Sequence, residues 1–130
     1  MRTPDEIKIG DKTLTEIVEL HRKYVNDENG GSRADLSRAD LSGADLSGAY
    51  LSGADLSGAY GIVALGPIGS RGDFIFGIRH EKVIMIKTGC FWGTLIEFKN
   101  AVKKTHNDNE YAQAYAAAIV FIRKYFAVKS

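Results

Sequence analysis

The sequence is poor in several things that other protein classes depend on. Its single cysteine, Cys90, excludes an intrachain disulfide and fits a reducing compartment. Three histidines and one cysteine show no zinc-ligand spacing, so no metal or other cofactor is expected. No apolar run approaches the ~20 residues that cross a bilayer. The N-terminal stretch MRTPDEIKIGDKT lacks the apolar centre of a secretory signal. A cytoplasmic protein with no membrane attachment is expected. Net charge is also scarce, at +1, but it is unevenly spread. Residues 1–31 carry five basic and seven acidic side chains, and residues 32–60 carry two and four. Residues 61–130 carry ten and five, a net of +5, so an anionic ligand is expected there.

What the chain does have is a period of five. Leucine recurs at Leu36, Leu41, Leu46, Leu51 and Leu56. Alanine recurs two residues ahead, at Ala34, Ala39, Ala44, Ala49, Ala54 and Ala59, and serine follows each leucine. Five matches neither the 3.6 of a helix nor the 2 of a flat strand. It suits a chain that turns a corner every five residues, with leucine and alanine inside and Asp, Ser, Gly and Arg outside.

The run RADLSRADLSGADLSGAYLSGADLSGAY resembles the pentapeptide-repeat family. The resemblance implies a right-handed, quadrilateral β-helix with four repeats per coil, hence about 1.5 coils here. So short a stack needs caps on its ends, and an exposed coil end would favour a homo-oligomer. Some long members of the family imitate DNA. Here Tyr50 and Tyr60 interrupt the row of Asp35, Asp40, Asp45 and Asp55, and Arg33 and Arg38 offset it. DNA mimicry and direct DNA binding are therefore not expected.

The flanks read as helices and strands. Thr13-Leu14-Thr15-Glu16 is a capping box opening a helix with Leu14, Ile17, Val18, His21, Tyr24 and Val25 at helical spacing. Asn29-Gly30-Gly31 is expected to end it, and His21 reads as a packed histidine. After the repeat, residues 62–65, 74–79 and 83–87 read as about three strands. A second capping box, Thr94-Leu95-Ile96-Glu97, starts one helix, and Asn107 with Glu110 starts another. The whole is expected to be α+β: an N-terminal helical cap (1–31), the repeat β-helix (32–60), and a C-terminal unit of about three strands and two helices (61–130).

Three stretches could bind a ligand. Gly66, Gly69 and Gly72 could form an anion-binding nest, with Ser70, Arg71 and Asp73 beside them. It is no P-loop, because the closing Gly-Lys-Ser/Thr is missing. Phe91, Trp92 and Thr94 lie at a helix start, where free N–H groups favour anions and Trp92 could stack a base. His106 could close the site. A Cys90/His106 activity lacks an orienting third group, so no enzyme is expected. Residues 61–126 also resemble a C-terminal unit of small phage-encoded proteins often attached to pentapeptide repeats. That resemblance implies an anti-defence protein in a bacterial host. It would sequester a small phosphate-bearing nucleotide, cyclic or ADP-ribose type, without cleaving it. The alternative is a protein–protein interaction module whose repeat face docks on and inhibits a host enzyme.

Overall fold

The computed structural model describes residues 1–68, 73–89, 91–106 and 109–129. The fold is α+β, in two compact units, Met1–Tyr60 and Gly61–Ser130.

The first unit begins with a hairpin of β1 (Lys8–Ile9) and β2 (Lys12–Thr13), turned at Gly10. Helix α1 (Leu14–Val25) follows directly. Its start is the capping box read from the sequence. The Glu16 N–H donates to Thr13 Oγ1 at 3.2 Å, and the Thr13 N–H donates to Glu16 Oε1 at 3.1 Å. Leu14, Ile17 and His21 form the buried face, while Tyr24 and Val25 stay exposed. The helix ends earlier than expected, at Asn26 rather than at Asn29-Gly30, because Asp27 itself takes the left-handed conformation, φ 57°. Gly31 is needed for another reason. A Cβ there would collide with the backbone of Lys23 and Tyr24.

The repeat segment returns to its own backbone after twenty residues. Parallel bridges join Asp35 to Asp55 and Asp40 to Tyr60. The Leu36 N–H donates to the Asp55 carbonyl at 2.8 Å, and the Asp55 N–H to the Ala34 carbonyl at 2.9 Å. Leu36, Leu41, Leu46 and Leu51 point into one interior, each at most 2% exposed, with Ala34, Ala44 and Ala49 beside them. Small alanines are required there because four leucines already converge on the axis.

Two features tie the N-terminal residues to this coil. His21 is fully buried. Its Nδ1 accepts from the Ala34 N–H at 3.1 Å, and its Nε2 lies 2.9 Å from the Ser52 carbonyl. A carbonyl can only accept, so Nε2 carries the hydrogen and both ring nitrogens are satisfied. The second feature is Arg2, which adds a rung. Its N–H donates to the Gly43 carbonyl at 2.7 Å, and its carbonyl accepts from the Asp45 N–H at 2.8 Å. Its Nη1 donates to the Asp40 and Ser42 carbonyls. The ladder to Tyr60 uses the Ala39 carbonyl and the Leu41 N–H. The Gly43 and Asp45 groups are one residue out of step with that ladder. Successive peptide groups along a strand point in opposite directions. Arg2 therefore occupies the opposite edge of the coil.

The second unit is a four-stranded antiparallel sheet in the order β3 (Ile62–Ile68), β4 (Asp73–His80), β5 (Val83–Thr88), β6 (Phe91–Thr94). Helices α2 (Leu95–His106) and α3 (Glu110–Lys129) follow. The sheet has one strand more than the sequence suggests. Phe91-Trp92-Gly93-Thr94 is not a loop into the helix; it pairs with β5 from Met85 to Thr88. Ile75, Ile86, Leu95, Phe98, Tyr115, Ile119 and Ile122 form the core between sheet and helices. Gly77 makes that packing possible, since a Cβ there would lie 2.7 Å from Ile122 Cγ2. Helix α2 opens on the second capping box, with the Thr94 N–H donating to Glu97 Oε1 at 2.8 Å. Helix α3 is capped by Asn109, whose Oδ1 accepts from the Ala112 N–H at 3.0 Å. The cap expected at Asn107 lies outside the described residues.

Candidate binding surface

Ser70 and Arg71 lie outside the described residues, as do Cys90, Asn107 and Asp108. The nest expected at residues 66–73 and the Cys90/His106 pairing are therefore not placed. The other four expected site residues do not gather into one pocket. Asp73 begins β4, and its carboxylate would lie 3.2 Å from a Cβ at Gly89. Phe91 faces the helices, with its ring 5.2 Å from that of Phe98. Adjacent strand residues face opposite ways, so Trp92 projects from the other side of the sheet, where its ring meets His80 at 6.1 Å. Thr94 is engaged as the cap of α2, its hydroxyl oxygen accepting from the Glu97 N–H at 3.1 Å. His106 closes α2 among the rings of Tyr111 and Tyr115, at 5.5 and 5.8 Å. Trp92 and His106 thus belong to opposite faces of the sheet. Among the described residues, no group of three or more His, Cys, Asp or Glu is placed to hold a metal ion.

A concave surface lies elsewhere in the basic unit. A groove of about 720 Å³ runs between α2 and α3. Lys99 and Lys103 line it from α2 and Arg123 from α3, with Asn100 and Gln113 as neutral polar groups. Val102, Ala112, Ala116, Ile119 and Val120 form its apolar walls. No carboxylate occurs among these described lining residues. Arg123 also borders a second depression of about 190 Å³, lined by Lys82, Val83 and Ile96 among others. The two form one cationic strip on which Val83, Ile96 and Val120 are about half exposed or more. The strip's signal in the sequence was the +5 charge of residues 61–130. The periodicity of α3 marks only its buried stripe.

In the first unit the twenty-residue return of the backbone coincides with a family match. Residues 32–60 match the family model described as pentapeptide repeats (8 copies). Residues 32–60 are pentapeptide repeats. The match spans fewer than six five-residue units, so the copy number in that description belongs to the family model. No curated protein and no solved structure matches the chain.

The carboxylates of the pentapeptide repeats are turned to local use. Oδ1 of Asp35 accepts from both the N–H and the hydroxyl of Ser37, at 3.0 and 2.6 Å. Asp40 does the same with Ser42. The Ser47 and Ser57 N–H groups donate to Asp45 and Asp55. Each pair pins one corner of the chain. The serine hydroxyls, and secondly the serine N–H groups, hold Asp35 and Asp55 below the ordinary carboxylate range. At Asp40 the Ser42 hydroxyl is again the main cause of lowering.

A pH dependence follows. A carboxyl whose folded value lies below its unfolded value stabilises the fold fully above the unfolded value. That contribution is lost as pH falls through the folded value. The unfolded value is about 3.9. The urea midpoint of the first unit is therefore expected to hold steady from neutrality to about pH 5 and to fall below about pH 4. Replacing Ser37, Ser42 and Ser57 together by alanine should flatten that fall. An unchanged acid profile in the triple variant would show that the serine pairs are not its origin.

One pentapeptide carries a misfit. The residue after serine takes positive φ at Gly43 (71°), Gly53 (85°) and Gly58 (68°), and in the first repeat that residue is Arg38, at 64°. A side chain in this conformation costs about 1–2 kcal/mol. Arg38→Gly is expected to stabilise the unit by about 1 kcal/mol, read as a higher urea midpoint at unchanged slope. A lower midpoint would mean that the Arg38 stem, which lies beside Gly58, contributes more than the strain costs.

Proposed function

We propose that the protein is an interaction module whose basic unit holds an acidic, amphipathic helical segment of a partner protein. On this reading the pentapeptide repeats, as about 1.5 coils of a right-handed, four-sided β-helix, are the scaffold. The observation that carries it is the α2–α3 groove, with three cations, no carboxylate among its described lining residues, and apolar walls. From Lys103 to Ile96 the strip follows α2 for about two turns, or ~10 Å. That suits a helix presenting apolar residues at i, i+3, i+4 and i+7 with acidic flanks. The resemblance of residues 61–126 to phage-encoded units would make the partner a bacterial host protein.

A small phosphate-bearing nucleotide competes for the same three cations. The peptide is preferred because no aromatic side chain among the described lining residues could stack a base. The test is fluorescence anisotropy with a labelled acidic amphipathic peptide of about four turns, alongside calorimetry with cyclic dinucleotides and ADP-ribose. Peptide binding is expected, weakening with salt. Reversing Lys99, Lys103 and Arg123 to glutamate should weaken it by at least tenfold, about 1.4 kcal/mol. Nucleotide binding without peptide binding, or peptide binding indifferent to the reversal, would overturn the proposal.

A further inference from the structure

Helix α3 is twenty residues long, about 30 Å. Tyr115, Ala118, Ile119, Ile122 and Phe126 face the core. Helices that are apolar all round are normally covered all round. The side of α3 away from the core is nevertheless open. Ala117 and Phe121 are exposed there, Phe121 at 47%, with Ala114 partly buried beside them. With Glu110 and Lys124 they make a stripe at spacings of four, three, four and three, the repeat of a helix–helix seam. It is a different stripe from the Ala112, Ala116, Val120 and Arg123 side that lines the groove.

The stripe is nearly symmetric about Ala117. Glu110 lies seven residues before it and Lys124 seven after it. Ala114 and Phe121 lie three before and four after. We propose that a second copy of this chain packs on this stripe, α3 against α3 and antiparallel, with the two-fold axis at Ala117. A two-fold axis requires a self-complementary patch. In the antiparallel arrangement each Glu110 meets the other copy's Lys124. Each Phe121 fills the space above the other copy's Ala114, and the small Ala117 residues let the helices approach to the 8–10 Å of packed pairs. The parallel arrangement would instead set Arg123 and Lys124 against their own copies. The helix dipoles also oppose each other favourably only in the antiparallel case.

One helix pair lies at the small end of specific interfaces, so the dimer forms and dissociates with concentration. The experiment is sedimentation equilibrium of the full chain from micromolar to millimolar concentration. The mass is expected to rise from one chain towards two. Ala117→Glu places two like charges on the axis at an exposed helical position, and should keep the protein monomeric with unchanged circular dichroism. Glu110→Lys should raise the dimer dissociation constant about three- to tenfold. Adding Lys124→Glu should restore it. A monomer at every concentration, or a dimer indifferent to Ala117→Glu, would overturn the interface. A dimer sensitive to Ala117→Glu but not rescued by the charge exchange would overturn the antiparallel register. None of these outcomes depends on the groove or its ligand.

Discussion

His21→Ala is expected to cost the first unit about 3–5 kcal/mol. The ring is fully buried and uses both nitrogens. Its removal leaves the Ala34 N–H and the Ser52 carbonyl without their partner, each worth about 1–3 kcal/mol when buried and unmet. It also opens a ring-sized cavity between α1 and the coil. His21→Gln keeps a donor and an acceptor and should lose less. The measurement is urea unfolding followed by far-ultraviolet circular dichroism, with amide hydrogen exchange at Ala34 as the local reporter. An unchanged midpoint with unchanged exchange at Ala34 would show that α1 does not depend on this histidine for its seat.

Leu46→Ala is the second large effect, about 3–5 kcal/mol. Leu36, Leu41, Leu46 and Leu51 converge on one interior, and Leu46 is fully buried. An extended helix bundle can relax around a lost side chain. A closed coil has less freedom, because the rungs from Asp35 to Asp55 and from Asp40 to Tyr60 tie its backbone back onto itself after each turn. The cavity therefore stays open and the loss falls at the upper end for such substitutions. Against a domain stability of about 5–15 kcal/mol, either loss is a large fraction of the total, and at the lower end of that range the unit would be measurably unfolded at about 37 °C. The groove between α2 and α3 belongs to the other unit, so peptide binding there provides a control for specific damage.

Much of this architecture was legible in the chain. The period of five announced the repeat, and the structure returns the backbone after the twenty residues that four such repeats require. Both Thr-x-x-Glu boxes were readable because the reciprocal bonds they predict are local, within three residues. The fourth strand was not. Phe91 to Thr94 is four residues long with Gly93 inside it and Gly89 two residues before it, and one of its two outward positions is a threonine already committed to the helix cap. Such a segment has too few alternations to outweigh its turn residues. The rung made by Arg2 has no local signal, since its partner Ala44 lies far along the chain. Of the expected binding residues, Trp92 and His106 carry a chemical signal in the sequence but no signal of where each side chain lies. Which side of the sheet each faces follows from strand parity around Phe91. Without the strand there is no parity to assign. The groove was hidden for a similar reason. Its cations come from two helices and meet only through the packing of α2 on α3.

The rung from Arg2 also bears on how copies of this protein can grow. An open parallel ladder is a template, and any chain that presents the matching donors and acceptors can extend it without limit. Here the template is terminated on one side by the protein itself. Arg2 satisfies the Gly43 and Asp45 groups, and its guanidinium reaches past them to the carbonyls of Asp40 and Ser42. Fibre-like polymerisation through that edge would first have to displace residues already bound to it. Association through a helix on the other unit carries no such requirement, and a two-fold axis closes it at two copies.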